Sequence, residues 1–136
     1  MTLLVDTSVW SLALRRDGVR DDTHVRALRA PLTSGEAIVT TGPILQELLQ
    51  GFTGPRARTD IVERFSALPL LAPQRQDYVG AADLRNLCRR SGVQLGTIDA
   101  LIAHLCIRHD LMLLTTDNDF VLAAAHCKLR IWQSNN

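Results

Sequence analysis

Short apolar runs alternate with longer segments of helical periodicity along this chain. Five runs of four or five residues end at polar or turn-forming positions, which predicts short buried strands. The predicted strands are residues 2–5, 37–40, 68–71, 111–115 and 129–132. Between them, apolar positions recur every three or four residues, which predicts helices. The predicted helices are residues 8–14, about 22–32, 43–52, 55–67, 74–90 and 98–109.

Strands that alternate with helices favour a parallel sheet covered by helices on both faces. We therefore expect an α/β fold with about five short strands. No repeat, low-complexity stretch or linker divides the 136 residues, so the sequence predicts a single domain over residues 1–136. In such folds the loops and helix starts at the carboxyl ends of the strands converge on one edge, where ligands bind.

The composition is that of a soluble globular protein, with 46% hydrophobic and 21% charged residues. No apolar stretch approaches the roughly 20 residues needed to cross a bilayer, and the N-terminus lacks the features of a signal peptide. A cytoplasmic location is the resulting expectation. Cys88, Cys106 and Cys127 form no CxxC pair, and we expect reduced thiols.

The charge balance predicts no strong bulk attraction to nucleic acid. Fifteen basic and 14 acidic side chains give a net charge of +1, so any such binding must be local. Lys128 is the only lysine, and nearly all positive charge is therefore arginine, whose planar fork fits phosphate well. This bias is weak evidence, because the base composition of a genome can produce it too.

Acidic residues recur where the predicted strands end or the helices begin. Asp6 directly follows the first strand, and Asp117 follows the fourth. Glu47 lies about 130° around its helix from the centre of the apolar stripe and so points away from that helix's core face. Asp99 lies in the first turn of the sixth predicted helix, and Asp119 offers a fifth acid. Considered alone, Glu47 is interpreted as a solvated side chain. Asp99 alone is interpreted as an acid that the positive end of the helix dipole favours.

Together these acids point to a metal site. Two carboxylates about 5 Å apart repel by roughly 3 kcal/mol at an effective dielectric constant near 20, so several in one place need a counter-charge. Oxygen donors without histidine or thiolate favour Mg²⁺ or Mn²⁺ over Zn²⁺. Such an ion can activate water and stabilise a leaving alkoxide, which suits phosphodiester hydrolysis.

Other chemistries lack their residues. The four histidines are scattered over helices without a partner at useful spacing, and we expect them to be surface or satisfied residues; they are His24, His104, His109 and His126. Neither a GxxxxGK[ST] loop nor a GxGxxG motif is present, so nucleoside triphosphates and dinucleotides have no evident phosphate cradle.

Over nearly its whole length the chain resembles PIN-domain ribonucleases, and more narrowly the VapC-type toxins of type II toxin-antitoxin pairs. The resemblance rests on LLVDTSVWSLALR with Asp6, TTGPILQELLQGF with Glu47, LGTIDALIAHLCIRHDLMLLTTDNDF with Asp99, and the acids Asp117 and Asp119. Each piece alone is common, but their order and spacing together are specific.

The resemblance implies a three-layer α/β/α sandwich and a Mg²⁺- or Mn²⁺-dependent endoribonuclease. Its catalytic, metal-binding residues would be Asp6, Glu47, Asp99 and Asp117, with Asp119 as a further ligand or a supporting acid. Ser8 and Thr116 match hydroxyl positions that support such a site through a metal-bound water or a carboxylate oxygen.

The resemblance also implies biological partners. The substrate would be RNA, often transfer or ribosomal RNA, cut so that the phosphate stays on the 5′ end of the downstream fragment. The family commonly forms homodimers. A VapB-type antitoxin would block the site and would contact operator DNA through its own DNA-binding half.

Three further segments have two interpretations each. Arg15 and Arg16 could grip RNA phosphates, or they could be solvated charges or antitoxin contacts. Residues 91–96 could contact substrate, although a plain connector is the simpler interpretation. Trp10 and Leu14 could line a groove for an antitoxin helix or a dimer face, with core packing as the default.

Two other phosphate-handling folds fit poorly. A haloacid-dehalogenase-type phosphatase needs a second acid two residues after the first, where this chain has Ser8. A phosphoryl-accepting receiver domain needs a lysine after a late strand, whereas Lys128 precedes the last one. A catalytically silent PIN fold that only binds RNA or an antitoxin remains an open alternative.

Overall fold

Five parallel strands form the central sheet of the protein. The structure is a computed structural model and describes residues 2–15, 22–34 and 37–134. The strands are β1 (Leu3–Val5), β2 (Ile38–Thr41), β3 (Leu70–Leu71), β4 (Met112–Leu114) and β5 (Arg130–Ile131). Their spatial order is β3-β2-β1-β4-β5, and every adjacent pair is parallel. The predicted parallel sheet is confirmed, with four strands one or two residues shorter than the predicted runs and β2 shifted by one residue.

Seven helices connect and cover the strands in the described part of the chain, which gives the three-layer α/β/α arrangement. They are α1 (Thr7–Leu14), α2 (Thr23–Ser34), α3 (Gly42–Gly51), α4 (Pro55–Ser66), α5 (Arg75–Arg90), α6 (Thr97–Arg108) and α7 (Asn118–Ala124). Six match the predicted helices within about two residues at each end. Helix α7 was not predicted, because its seven residues are too few to display a helical period.

The core lies around the central strands. Leu4, Val5 and Leu114 are fully buried, since a parallel sheet is covered on both faces. Trp10 is also buried and stacks at 4.9 Å on the ring of Phe65, so core packing is the correct interpretation of Trp10.

All three cysteines are free thiols, as expected. Burial raises the pKa of Cys106 to about 12, with a further contribution from the negative charge of Asp6, so this thiol stays protonated. None of the helices in the described segments is long and apolar enough to span a membrane.

A buried polar clamp joins α5 to α6. Asp77 accepts hydrogen bonds from the backbone N–H of Gln74 (2.8 Å) and from Arg108 Nη1 (2.6 Å), and its Oδ1 lies 3.0 Å from His104 Nε2. Desolvation alone would raise the pKa of Asp77, but these hydrogen bonds and the Arg108 charge lower it to about 2. His104 is therefore a satisfied histidine, as expected.

Candidate active site

Asp6 begins the site, directly after β1 and in front of α1. Its side chain is only 6% exposed, and its backbone N–H donates to Leu114 O of β4 at 2.9 Å. One carboxylate oxygen, Oδ2, accepts hydrogen bonds from Ser8 Oγ at 2.8 Å and from Thr115 Oγ1 at 2.9 Å. The two hydroxyls fix the orientation of the carboxylate and leave its other oxygen for a ligand.

Those hydroxyls also hold the loop after β4. Thr115 Oγ1 accepts the backbone N–H of Asp117 at 3.0 Å, and Ser8 Oγ accepts that of Thr116 at 3.1 Å. The structure therefore corrects the sequence analysis at one position. The hydroxyl that reaches Asp6 belongs to the buried Thr115, whereas Thr116 contributes its backbone N–H and has an exposed side chain.

Asp117 is the N-cap of α7. Its Oδ1 accepts the backbone N–H of Asp119 at 2.9 Å, which satisfies one of the free N–H groups at the helix start. Phe120 is fully buried behind this turn. Asp119 is exposed and lies in the first turn of α7, two residues after Asp117.

Glu47 and Asp99 come from helices on either side of these loops. Glu47 lies in the middle of α3, which starts at the carboxyl end of β2, and its side chain is exposed. Asp99 lies in the first turn of α6, next to the N-cap Gly96. A Cβ built on Gly96 would lie 3.8 Å from Asp99 Oδ2, so the carboxylate folds back over the start of its own helix.

The pKa of Asp99 reflects an electrostatic environment that the acids share. Burial, and then the charges of Asp6, Asp117, Glu47 and Asp119 in that order of effect, together raise the pKa of Asp99 to about 6. The pKa of Glu47 is also raised, first by burial and then by the charge of Asp6. The five acids that the sequence singled out therefore lie within interaction range at one edge of the sheet.

The donor set suits a hard divalent cation. The five acids offer only carboxylate oxygens, and the buried hydroxyl of Thr7 lies beside Glu47. As the side chains stand, no three acidic, histidine or cysteine groups in the described ranges converge into a ready-made metal cage.

The sequence that carries these acids matches a known protein family. The PIN domain family model matches residues 3–125. A curated VapC ribonuclease of Mycobacterium bovis is 32% identical over 124 residues, which make up 90% of this chain and 91% of the relative. The chain belongs to the PIN-domain family, in its VapC group.

Solved structures show the same PIN fold. The VapBC2 complex of Rickettsia felis, bound to a DNA fragment from its promoter, has a chain that matches with a TM-score of 0.75 and 19% identity, over 98% of this chain and all of that one. VapC20 of Mycobacterium tuberculosis, a toxin that cleaves the sarcin-ricin loop, matches with a TM-score of 0.67 and 18% identity, over 94% of this chain and 98% of that one.

The remaining sequence candidates have mixed outcomes in this PIN domain. Arg15 is exposed just after α1, and its contact with RNA stays a prediction. Arg16 lies outside the described residues. Leu14 is half-buried and lines a surface groove. Residues 91–96 lie directly before α6, and the carbonyl of Leu95 accepts a hydrogen bond from Arg85 Nε at 2.9 Å.

Thr115 is the residue that sequence reasoning missed. Its signal was available, because it occupies the last apolar-run position before the acidic turn and a hydroxyl there must be satisfied when buried. The choice between two adjacent threonines depended on which one faces Asp6, and a one-residue shift at a strand end reverses the facing side chain.

Proposed function

We propose that this chain is a Mg²⁺- or Mn²⁺-dependent endoribonuclease that acts as the toxin of a type II toxin-antitoxin pair. The observation that carries the proposal is that burial and the charges of four neighbouring acids together raise the pKa of Asp99 to about 6. Such crowding is tolerable when a divalent cation offsets it. The relationship to a VapC ribonuclease favours RNA as the substrate.

In this proposal Asp6, Glu47, Asp99 and Asp117 hold the cation, with Asp119 as a further ligand or a supporting acid. When bound, the cation lowers the pKa of a coordinated water and offsets charge on the phosphate. Ser8 and Thr115 keep the Asp6 carboxylate in one orientation through the hydrogen bonds to its Oδ2. Ser8 Oγ accepts the backbone N–H of Thr116, and Thr115 Oγ1 accepts that of Asp117, so the loop after β4 is held beside Asp6.

The experiment is cleavage of bulk RNA by purified protein after removal of metal. We expect no cleavage in EDTA and full recovery with Mn²⁺, and Asp6→Asn protein should remain inactive under both conditions. Mapping of RNA 5′ ends would then identify the target, with transfer or ribosomal RNA expected. If wild-type protein bound RNA but did not cleave it with either cation, the silent-binder alternative would replace this proposal.

A VapB-type antitoxin is the proposed partner, and operator DNA would be contacted through it. A groove of about 330 Å³ between α1, α3 and α4 has half-buried Leu14 and Phe52 and buried Ile61 as its apolar surface. Two cations and one acid are exposed beside them, namely Arg56, Arg64 and Asp60. This combination suits an amphipathic helix with acidic flanks. We expect Leu14→Glu to abolish copurification with the small DNA-binding protein of a neighbouring reading frame, and retained copurification would refute this docking site.

We also propose that the protein forms a homodimer and is located in the cytoplasm. Light scattering of purified protein at micromolar concentration tests the dimer, for which twice the 15.1 kDa chain mass is expected. A monomeric mass across the concentration range would contradict it.

A further inference from the structure

A polar pocket lies at the C-terminal end of α5, beside the loop that leads into α6. Its lining consists of Arg85 and Arg89 from α5 together with Val93, Gln94 and Leu95 of the following loop, around a volume of about 170 Å³. The two arginines are four residues apart and therefore share one face of the helix. Within this pocket the charged lining groups are both cationic.

Both guanidinium groups have N–H donors without an acceptor among the described residues. Arg85 Nε donates to the carbonyl of Leu95, which fixes the plane of the guanidinium and leaves its terminal nitrogens without a protein partner among the described residues. Arg89 is exposed and makes no ion pair or hydrogen bond within the described segments. The nearest acid on α5, Asp83, lies about 160° around the helix from Arg85, on the opposite side.

The pocket is connected to Asp99 by a short segment of the chain. Leu95 is four residues before Asp99, so their Cα atoms are at most about 14 Å apart. The Asp99 carboxylate lies against Gly96, the residue that follows Leu95. Arg85 Nε lies 2.9 Å from the Leu95 carbonyl, so the guanidinium of Arg85 is tied to the segment that leads to Asp99.

We propose that Arg85 and Arg89 form a phosphate-binding subsite for the RNA backbone, which rests on the endoribonuclease function proposed above. Arginine presents a planar fork that binds two phosphate oxygens, and phosphate contacts position a nucleic acid without reading its sequence. Arg85 is held by the loop before α6, so the subsite and Asp99 keep a fixed separation. The strand would cross from the acids over the start of α6 to the two arginines.

The test uses Arg89→Gln, because this side chain is exposed and its removal leaves the Arg85–Leu95 hydrogen bond in place. Arg75→Gln is the matched control, since it removes one arginine charge from the same helix about 21 Å from Arg89 along the axis. Both variants are compared with the parent for the KM and kcat of RNA cleavage with Mn²⁺. Their affinities for bulk transfer RNA are measured at several salt concentrations in an Asp6→Asn background.

We expect Arg89→Gln to raise KM and Kd about fivefold to tenfold with kcat within twofold, and to reduce the salt slope by about 0.7. Arg89→Lys should recover part of the affinity, because it restores the charge but not the fork. Equal behaviour of Arg89→Gln and Arg75→Gln would overturn the subsite while cleavage by the parent left the proposed function intact. Loss of antitoxin binding with unchanged RNA binding would assign the surface to a protein partner and would also overturn it.

Discussion

At the scale of single residues, the site contains two acids, Asp99 and Glu47, whose ionisation opposes folding. Unfolded Asp99 has the ordinary pKa of 3.8, and folding raises it to about 6 by burial and by four neighbouring carboxylates. The folded protein therefore binds a proton on Asp99 more tightly than the unfolded chain does. The ionised group lowers the free energy of unfolding above pH 6, and this penalty disappears as the pH falls from 6 to 4.

Asp99→Asn should therefore stabilise the metal-free protein at neutral pH. Solvent screening reduces the gain to roughly 1–2 kcal/mol, or an increase in Tm of about 3–8 °C. Thermal melts in EDTA at pH 7.5 and pH 4 measure it, and the gain should be much smaller at pH 4. Mg²⁺ or Mn²⁺ should raise the Tm of the wild type at pH 7.5 and raise that of the variant less. Equal gains at both pH values would contradict the electrostatic origin.

Thr115 gives a second residue-scale prediction. Thr115→Val removes one donor to Asp6 Oδ2 and the acceptor for the Asp117 N–H, with almost no change in side-chain volume. Loss of such a supporting hydrogen bond typically weakens metal binding or activity by about 10-fold or more, and we expect that drop in cleavage rate. Thr116→Val is the matched control, because its side chain is exposed and only its backbone N–H bonds to Ser8. Equal losses in both variants would show that Thr115 has no special role.

At the scale of elements, the site depends on short strands and well-placed helix starts. Helix α6 runs from Asp99 at the acidic cluster to Arg108 at the Asp77 clamp, so its packing on α5 fixes the position of Asp99. The two helices approach closely at Gly80. A Cβ built there would lie 2.3 Å from His104 Cε1, and the His104 ring cannot move away without losing its contact with Asp77.

Gly80→Ala should accordingly destabilise the protein by about 1–3 kcal/mol, the usual cost of overpacking. Urea unfolding of the variant and the wild type measures the change. Gly51→Ala is the control, because nothing lies within 4 Å of a Cβ at that helix end. Unchanged stability of Gly80→Ala would mean that the His104 ring yields freely and that the clamp does not fix α6.

At the scale of the whole molecule, the sequence predicted the sheet and the gathering of acids for one physical reason. Parallel strands bring all their carboxyl ends to one edge, so Asp6 and Asp117 had to lie near each other once both strands were identified. The sequence did not reveal α7, which is too short for periodicity, or the choice of Thr115 over Thr116. The Asp77 clamp joins residues 27 and 31 positions apart, and only the tertiary packing of α5 on α6 brings them together.

The most direct test of a shared metal site is calorimetric titration of Mn²⁺ into the metal-free protein at pH 7.5. The account predicts one saturable binding process in the wild type, at least tenfold weaker binding in Glu47→Gln and in Asp99→Asn, and unchanged binding in Asp83→Asn, which removes an exposed acid from α5. Equal affinities in all four proteins, or no binding by the wild type, would contradict it.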